Sequence, residues 1–191
     1  MSDLNYKDIA IIDALPVYDH KKTILNVGCG NARIDRYIIG LGYRVFATDM
    51  VRDNTWKDNK SLTFHDNVNV FNISTFPIQN SPIVICSEVL EHLSDFKSAF
   101  VNLMSLTKTR LIITVPFQKS FNVIDGVSPH CNFWSDGKSS QYRDINEFKN
   151  MVGCHSISIS KIITKQRDYQ TGSRAYLIVI DKRWPKNGAK S

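Results

Sequence analysis

Three groups of residues in this 191-residue chain have the types and spacing to do chemistry. The first is Gly28-Cys29-Gly30, followed by Asp49. Glycine permits positive φ and removes the β-carbon, so a ligand can approach the backbone closely. An acid at the end of the next strand, about 20 residues on, can accept hydrogen bonds from both ribose hydroxyls of a nucleoside. Either feature alone serves plainer ends, a strand-to-helix turn or a helix cap. Together, at this interval, they point to a nucleoside site. The second group is Ser87-Glu88-Val89-Leu90-Glu91-His92. If Glu88 opens a helix, then Glu88, Glu91 and His92 fall at i, i+3 and i+4 on one face. There they could ligate magnesium or manganese. The plainer alternative is that the two acids favour a helix N-terminus and His92 simply packs. The third group is His130, in Pro129-His130-Cys131, as a fourth ligand or a base. His92 and His130 are the candidates to take a proton from an acceptor, since histidine exchanges protons nearest neutrality.

These groups need elements to hold them. Leu4, Ile9, Ile12 and Leu15 recur at helical spacing and stop at Pro16, which places a helix within residues 1–20. Apolar runs then alternate with amphipathic stretches, the pattern of strands alternating with helices in a mostly parallel sheet. Strands are expected at Thr23–Val27, Tyr43–Thr48, Val68–Phe71, Pro82–Cys86 and Arg110–Val115. Helices are expected at Ala32–Leu41, Asp95–Thr107 and Asp144–Val152, with a helical turn at Glu88–Leu93 and Asp144 as an N-cap. Ser156–Thr164 and Ala175–Lys182 read as a terminal antiparallel hairpin. Residues 117–143 form a long loop on the substrate side, and residues 184–191 a flexible tail.

Composition narrows the class. Hydrophobic residues make up 42% and charged residues 22%, both ordinary for a globular chain, and the length suits one domain over residues 1–191. No apolar run approaches the ~20 residues needed to span a bilayer, and the first residues lack the basic head and apolar block of a signal peptide. The expectation is a cytoplasmic protein without a membrane partner. The cysteines, Cys29, Cys86, Cys131 and Cys154, contain no C-x-x-C pair and read as reduced thiols. A net charge of +6, with a pI of about 9.1, favours anionic partners, though the charge is scattered. The arrangement could also serve NAD, but Arg33 stands at the third glycine position of the dinucleotide fingerprint.

The segments ILNVGCGNARID, ATDM, FNISTFPI and VICSEVLEHL follow one another in the order and at the intervals of class I S-adenosylmethionine-dependent methyltransferases, which residues 23–115 resemble. The resemblance implies a Rossmann-like α/β fold: a seven-stranded, mostly parallel sheet with a C-terminal antiparallel hairpin and helices on both faces. It implies S-adenosylmethionine as cofactor. Gly28 and Gly30 would line its methionine part, with Cys29 between them in the cofactor-binding set, Asp49 would hold the ribose, Met50 pack on the adenine, Asn72 and Ile73 meet the adenine edge, and Ser87 lie near the amino-acid moiety. The family usually has an acid where Asn26 stands, glycine at Ala32 and often Asp at Asn72. Glu88-x-x-Glu91-His92 is similar to the metal-using ubiquinone-pathway O-methyltransferases and small-RNA 2′-O-methyltransferases. The leading expectation is O-methylation of a small molecule or glycan. RNA methylation (2′-O or base) is the enzymatic alternative, although the chain shows no aromatic-interleaved basic stretch. A non-catalytic, nucleotide-binding regulatory subunit is the alternative from another class.

Overall fold

Alternation along the buried strands sends successive side chains to opposite faces of one sheet, and two separate cores result. In the computed structural model, which describes residues 4–16, 22–117, 131–136, 142–163 and 174–182, the sheet has seven strands. These are β1 (Thr23–Val27), β2 (Arg44–Thr48), β3 (Leu62–His65), β4 (Ser81–Ser87), β5 (Thr107–Pro116), β8 (Ser156–Ile163) and β9 (Arg174–Asp181). Their order is β3-β2-β1-β4-β5-β9-β8. The first five run parallel, and β9 is antiparallel to both of its neighbours. A second, two-stranded sheet joins β6 (Trp134–Ser135) to β7 (Arg143–Asp144).

Leu25 and Val27 of β1, Val84 and Cys86 of β4, and Leu111 and Ile113 of β5 face one core. That core is completed by α3 (Phe96–Leu106) and α4 (Glu147–Met151). Ile24, Ile83, Ile85 and Ile112 face the other core, against α1 (Tyr6–Asp13) and α2 (Arg33–Gly40). Helices thus cover both faces, the doubly wound Rossmann-like arrangement that the sequence implies. α1 starts at a capping box in which the Asn5 side chain accepts from the backbone of Lys7 and Asp8, and Asp8 accepts from Asn5 N–H at 2.8 Å. Its C-terminal end is tied down by Arg110, which donates to the Ala14 carbonyl at 2.8 Å and pairs with Asp181 at 2.6 Å.

The structure moves three expected elements. The third strand is Leu62–His65, not Val68–Phe71; Val68 and Val70 are apolar because they are buried beyond the strand ends. The helix expected at Asp144–Val152 is shorter, and Asp144 accepts from Asn146 N–H as a turn residue rather than capping it. Glu88–Leu93 holds only a single 3₁₀ turn, Leu90–His92. Among the described residues, no helix is long and apolar enough to cross a membrane.

On the α2 face of β1, Asn26 Nδ2 donates to both carboxyl oxygens of Asp35, each at 2.9 Å. The strand thus carries an amide here, and the acid it binds sits on the helix. Burial pushes the Asp35 carboxyl up to about 7, and the Asn26 hydrogen bonds only partly oppose it. Between the ordinary value near 4 and that raised value, the folded chain keeps a proton that the unfolded chain has lost. Stability therefore falls as pH rises through this window and levels off above it, by on the order of 4 kcal/mol. Buried Glu91 is raised as well, by burial and then by Glu88, and acts with the same sign. Asp35→Asn is expected to flatten the urea-midpoint profile between about pH 5 and pH 8. A variant profile as steep as the parent's would show that Asp35 is not the source.

Candidate functional site

In a parallel sheet, ligands bind beyond the carboxyl ends of the strands, where the order reverses. Here that edge is formed by the ends of β2, β1 and β4. Gly28 adopts φ +74 and Gly30 φ +52, so the chain turns sharply after β1 before entering α2. The bend is fastened at several points. Gly28 N–H and Cys29 N–H both donate to the Thr48 carbonyl, at 2.8 and 3.0 Å. Trp56 Nε1 donates to the Gly30 carbonyl at 2.7 Å, and its ring stacks on Phe64 with centroids 4.8 Å apart. Ala32 holds φ 56, so alanine bears there a left-handed conformation that favours glycine.

Asp49 lies directly beside this bend. Its Oδ2 accepts from Gly30 N–H at 2.9 Å and its Oδ1 from Met50 N–H at 2.7 Å. A cavity of about 590 Å³ opens there, lined by Val27, Gly28, Gly30, Thr48, Asp49, Met50, Val51, Val68, Val70, Glu88, Val89, His92 and Leu93. That volume suits a nucleoside-sized ligand. The space is open at Gly30, where an added β-carbon would meet nothing within 4 Å.

The other wall follows β4. Glu88 takes φ 56, a conformation costly for a residue with a β-carbon, and its backbone N–H donates to the Thr114 carbonyl at 3.1 Å. Its carboxylate accepts from Lys7 Nζ at 2.6 Å and from Thr114 Oγ1 at 3.1 Å. Burial pulls Lys7 down, but the Glu88 carboxylate outweighs it and the ammonium is held above its ordinary range. The adjacent Asp8 pairs with Arg33 Nε at 2.8 Å, so α1 grips both lips of the cavity: α2 through Asp8, and the β4 end through Lys7. Across the 3₁₀ turn, Cys131 and Asn132 N–H donate to the Glu91 carbonyl at 2.6 and 3.0 Å. Asn132 Nδ2 donates to the Leu93 carbonyl at 2.6 Å, and Arg143 Nε holds the Asn132 side-chain oxygen at 2.5 Å.

Comparison with known proteins agrees with this geometry. Residues 25–112 match the family model described as "Methyltransferase domain". Over those residues the chain has the pattern of a methyltransferase domain. No curated protein matches it in sequence. Its fold is that of class I methyltransferases. It superposes on a putative S-adenosylmethionine-dependent methyltransferase from Listeria monocytogenes with a TM-score of 0.65 at 16% identity, covering 94% of this chain and 99% of that one. It also superposes on a 1,6-didemethyltoxoflavin-N1-methyltransferase from Burkholderia thailandensis, with bound 1,6-didemethyltoxoflavin and S-adenosylhomocysteine, with a TM-score of 0.65 at 15% identity over 95% and 80% of the two chains. A magnesium protoporphyrin IX methyltransferase from Synechocystis, with bound S-adenosylhomocysteine, gives a TM-score of 0.60 at 16% identity over 93% and 80%. At these identities the likeness to solved structures is one of fold.

Gly28, Gly30, Asp49, Met50, Glu88 and His92 share that cavity. Cys29 is buried behind the bend, where burial raises its thiol, and it serves packing. Ser87 lies one residue back, its hydroxyl 2.7 Å from Thr114 Oγ1. Asn72 and Ile73 are exposed and outside the cavity lining; Asn72 Oδ1 accepts from the Ser74 hydroxyl at 2.7 Å. His130 lies outside the described residues. The cation arrangement expected of Glu88, Glu91 and His92 does not form. The left-handed turn at Glu88 breaks helical spacing, and Glu91 is fully buried with neither carboxyl oxygen bonded. Among the described residues no group of three potential ligands could hold a metal ion. Sequence reasoning missed the apolar wall of Val68 and Val70, and Lys7.

Proposed function

We propose that this methyltransferase domain moves a methyl group from S-adenosylmethionine to a hydroxyl oxygen of a small molecule or glycan. The observation that carries the reading is that one cavity joins the glycine bend and Asp49 to Glu88 and His92. A nucleoside grip and groups able to handle a proton thus meet in a single space. The residues fit the donor. Asp49 would accept from the ribose hydroxyls, the bare backbone at Gly30 leaves room for the chain beyond the ribose, and Val68, Val70 and Met50 offer apolar surface to the adenine.

When bound, the donor supplies an already activated methyl, so the protein's work is orientation and proton removal. His92, on the wall beside Glu88, takes the hydroxyl proton as the acceptor oxygen attacks. Nothing in this scheme uses a metal ion.

Calorimetry with S-adenosylmethionine, S-adenosylhomocysteine and NAD tests the first half, and NAD binding alone would sink it. A panel of hydroxyl acceptors with methyl-labelled donor tests the second. Once an acceptor is found, His92→Gln is expected to lower turnover by roughly 10²- to 10⁴-fold, with a far smaller change in donor affinity. Equal turnover would remove His92 as the base.

A further inference from the structure

Strand order fixes how charge is laid out around the cavity. β2, β1 and β4 are neighbours, and they end in Asp49, the glycine bend and Glu88 respectively. Adjacent strands lie ~4.8 Å apart, so the two acidic residues line one cavity from strand ends roughly 10 Å from each other, with bare backbone between them. A ribose held by Asp49 puts the donor's sulfur, one carbon off the sugar ring, over the bend and toward the β4 side. That sulfur is cationic in the donor and neutral in the product.

Glu88 is built as a fixed charge at this place. The chain accepts a left-handed φ of 56 there, which is costly for a glutamate. Both carboxylate oxygens are held, one by Lys7 Nζ at 2.6 Å and the other by Thr114 Oγ1 at 3.1 Å. The side chain is 29% exposed and that of Lys7 20%, so the field of the pair is only partly screened by water.

We infer that Glu88 is the counter-charge for the sulfonium end of the methyl donor, with Lys7 as the charge that trims it, so that the site favours the cationic donor over its neutral thioether product. This rests on the donor reading above. Methyl transfer then removes the attraction that held the ligand, and the spent product leaves more readily than the donor.

The test is calorimetry on the full chain with S-adenosylmethionine and S-adenosylhomocysteine, comparing the ratio of their dissociation constants. Glu88→Gln keeps the shape and removes the charge. It is expected to weaken the donor about tenfold and the product less than about twofold. Lys7→Met, which leaves the cavity wall in place, is expected to move the ratio the other way and tighten the donor severalfold relative to the product. It reads the same charge if the Glu88 variant does not fold. Equal weakening of both ligands by Glu88→Gln, or a ratio unmoved by Lys7→Met, would overturn the inference. Failure of the unaltered chain to bind either ligand would instead remove the donor reading, and the inference with it.

Discussion

Asp49→Ala is expected to lower the affinity for S-adenosylmethionine by at least about a hundredfold in calorimetry. A hydrogen bond to a charged group contributes ~1.5–3 kcal/mol, and each 1.4 kcal/mol is tenfold, so two ribose hydroxyls losing their acceptor reach that figure. The substitution also cuts a second tie. Asp49 Oδ2 holds Gly30 N–H at 2.9 Å and Oδ1 holds Met50 N–H at 2.7 Å, so the glycine bend loosens as well. Asp49→Asn separates the two effects, since an amide oxygen can keep one backbone bond while the charge is gone. It should fall between the parent and Asp49→Ala. Asp49 is only half-buried at the cavity mouth, so thermal stability should move far less than affinity. Unchanged affinity in Asp49→Ala would place the ribose elsewhere.

Much of this site is legible in the sequence because its parts are local. A buried strand, two glycines, a helix, a second strand and an acid follow one another within about 25 residues, and the register of parallel strands does the rest. The structure places Gly28 and Asp49 as that string implies, and the strand and helix ends differ by a residue or so. What misleads is apolar character with more than one cause. Val68 and Val70 alternate like a strand, yet they line the cavity, while the real edge strand Leu62–His65 is only four residues long and pairs with β2 alone. A short strand with one partner carries little pattern of its own.

Glu88, Glu91 and His92 mislead for a different reason. Their spacing suits a helix, but the backbone there is decided by partners far along the chain. Cys131 and Asn132 satisfy the Glu91 carbonyl, and Asn132 also satisfies that of Leu93. With those carbonyls taken, the segment has no need to continue as a helix, and Glu88 is left in its left-handed turn. Lys7 was invisible for the same reason. It is an ordinary lysine on an amphipathic helix until the fold sets it against a carboxylate 81 residues away. Local motifs thus foretell the glycine bend and Asp49, whereas tertiary contacts decide the Glu88 side of the cavity.

The two glycines of the bend offer a sharper test of this division, because they resist alanine for opposite reasons. At Gly28 an added β-carbon would sit 2.2 Å from Val89 Cγ2, and φ is +74. The left-handed penalty is about 1 kcal/mol and overpacking adds about 1–3, so Gly28→Ala should cost roughly 2–4 kcal/mol of folding stability and lower Tm by several degrees, taking ligand affinity with it. The double variant Gly28→Ala/Val89→Ala removes the clash and should recover the larger share. At Gly30, where nothing lies within 4 Å of the added carbon, Gly30→Ala pays only the conformational cost. Its Tm should drop by no more than a few degrees while affinity for S-adenosylmethionine falls at least about tenfold, since the methyl would stand in the space proposed for the donor. Thermal melts and calorimetry on the same three variants decide it. If Gly30→Ala binds like the parent, the donor does not pass over the bend, and the glycines serve only to turn the chain.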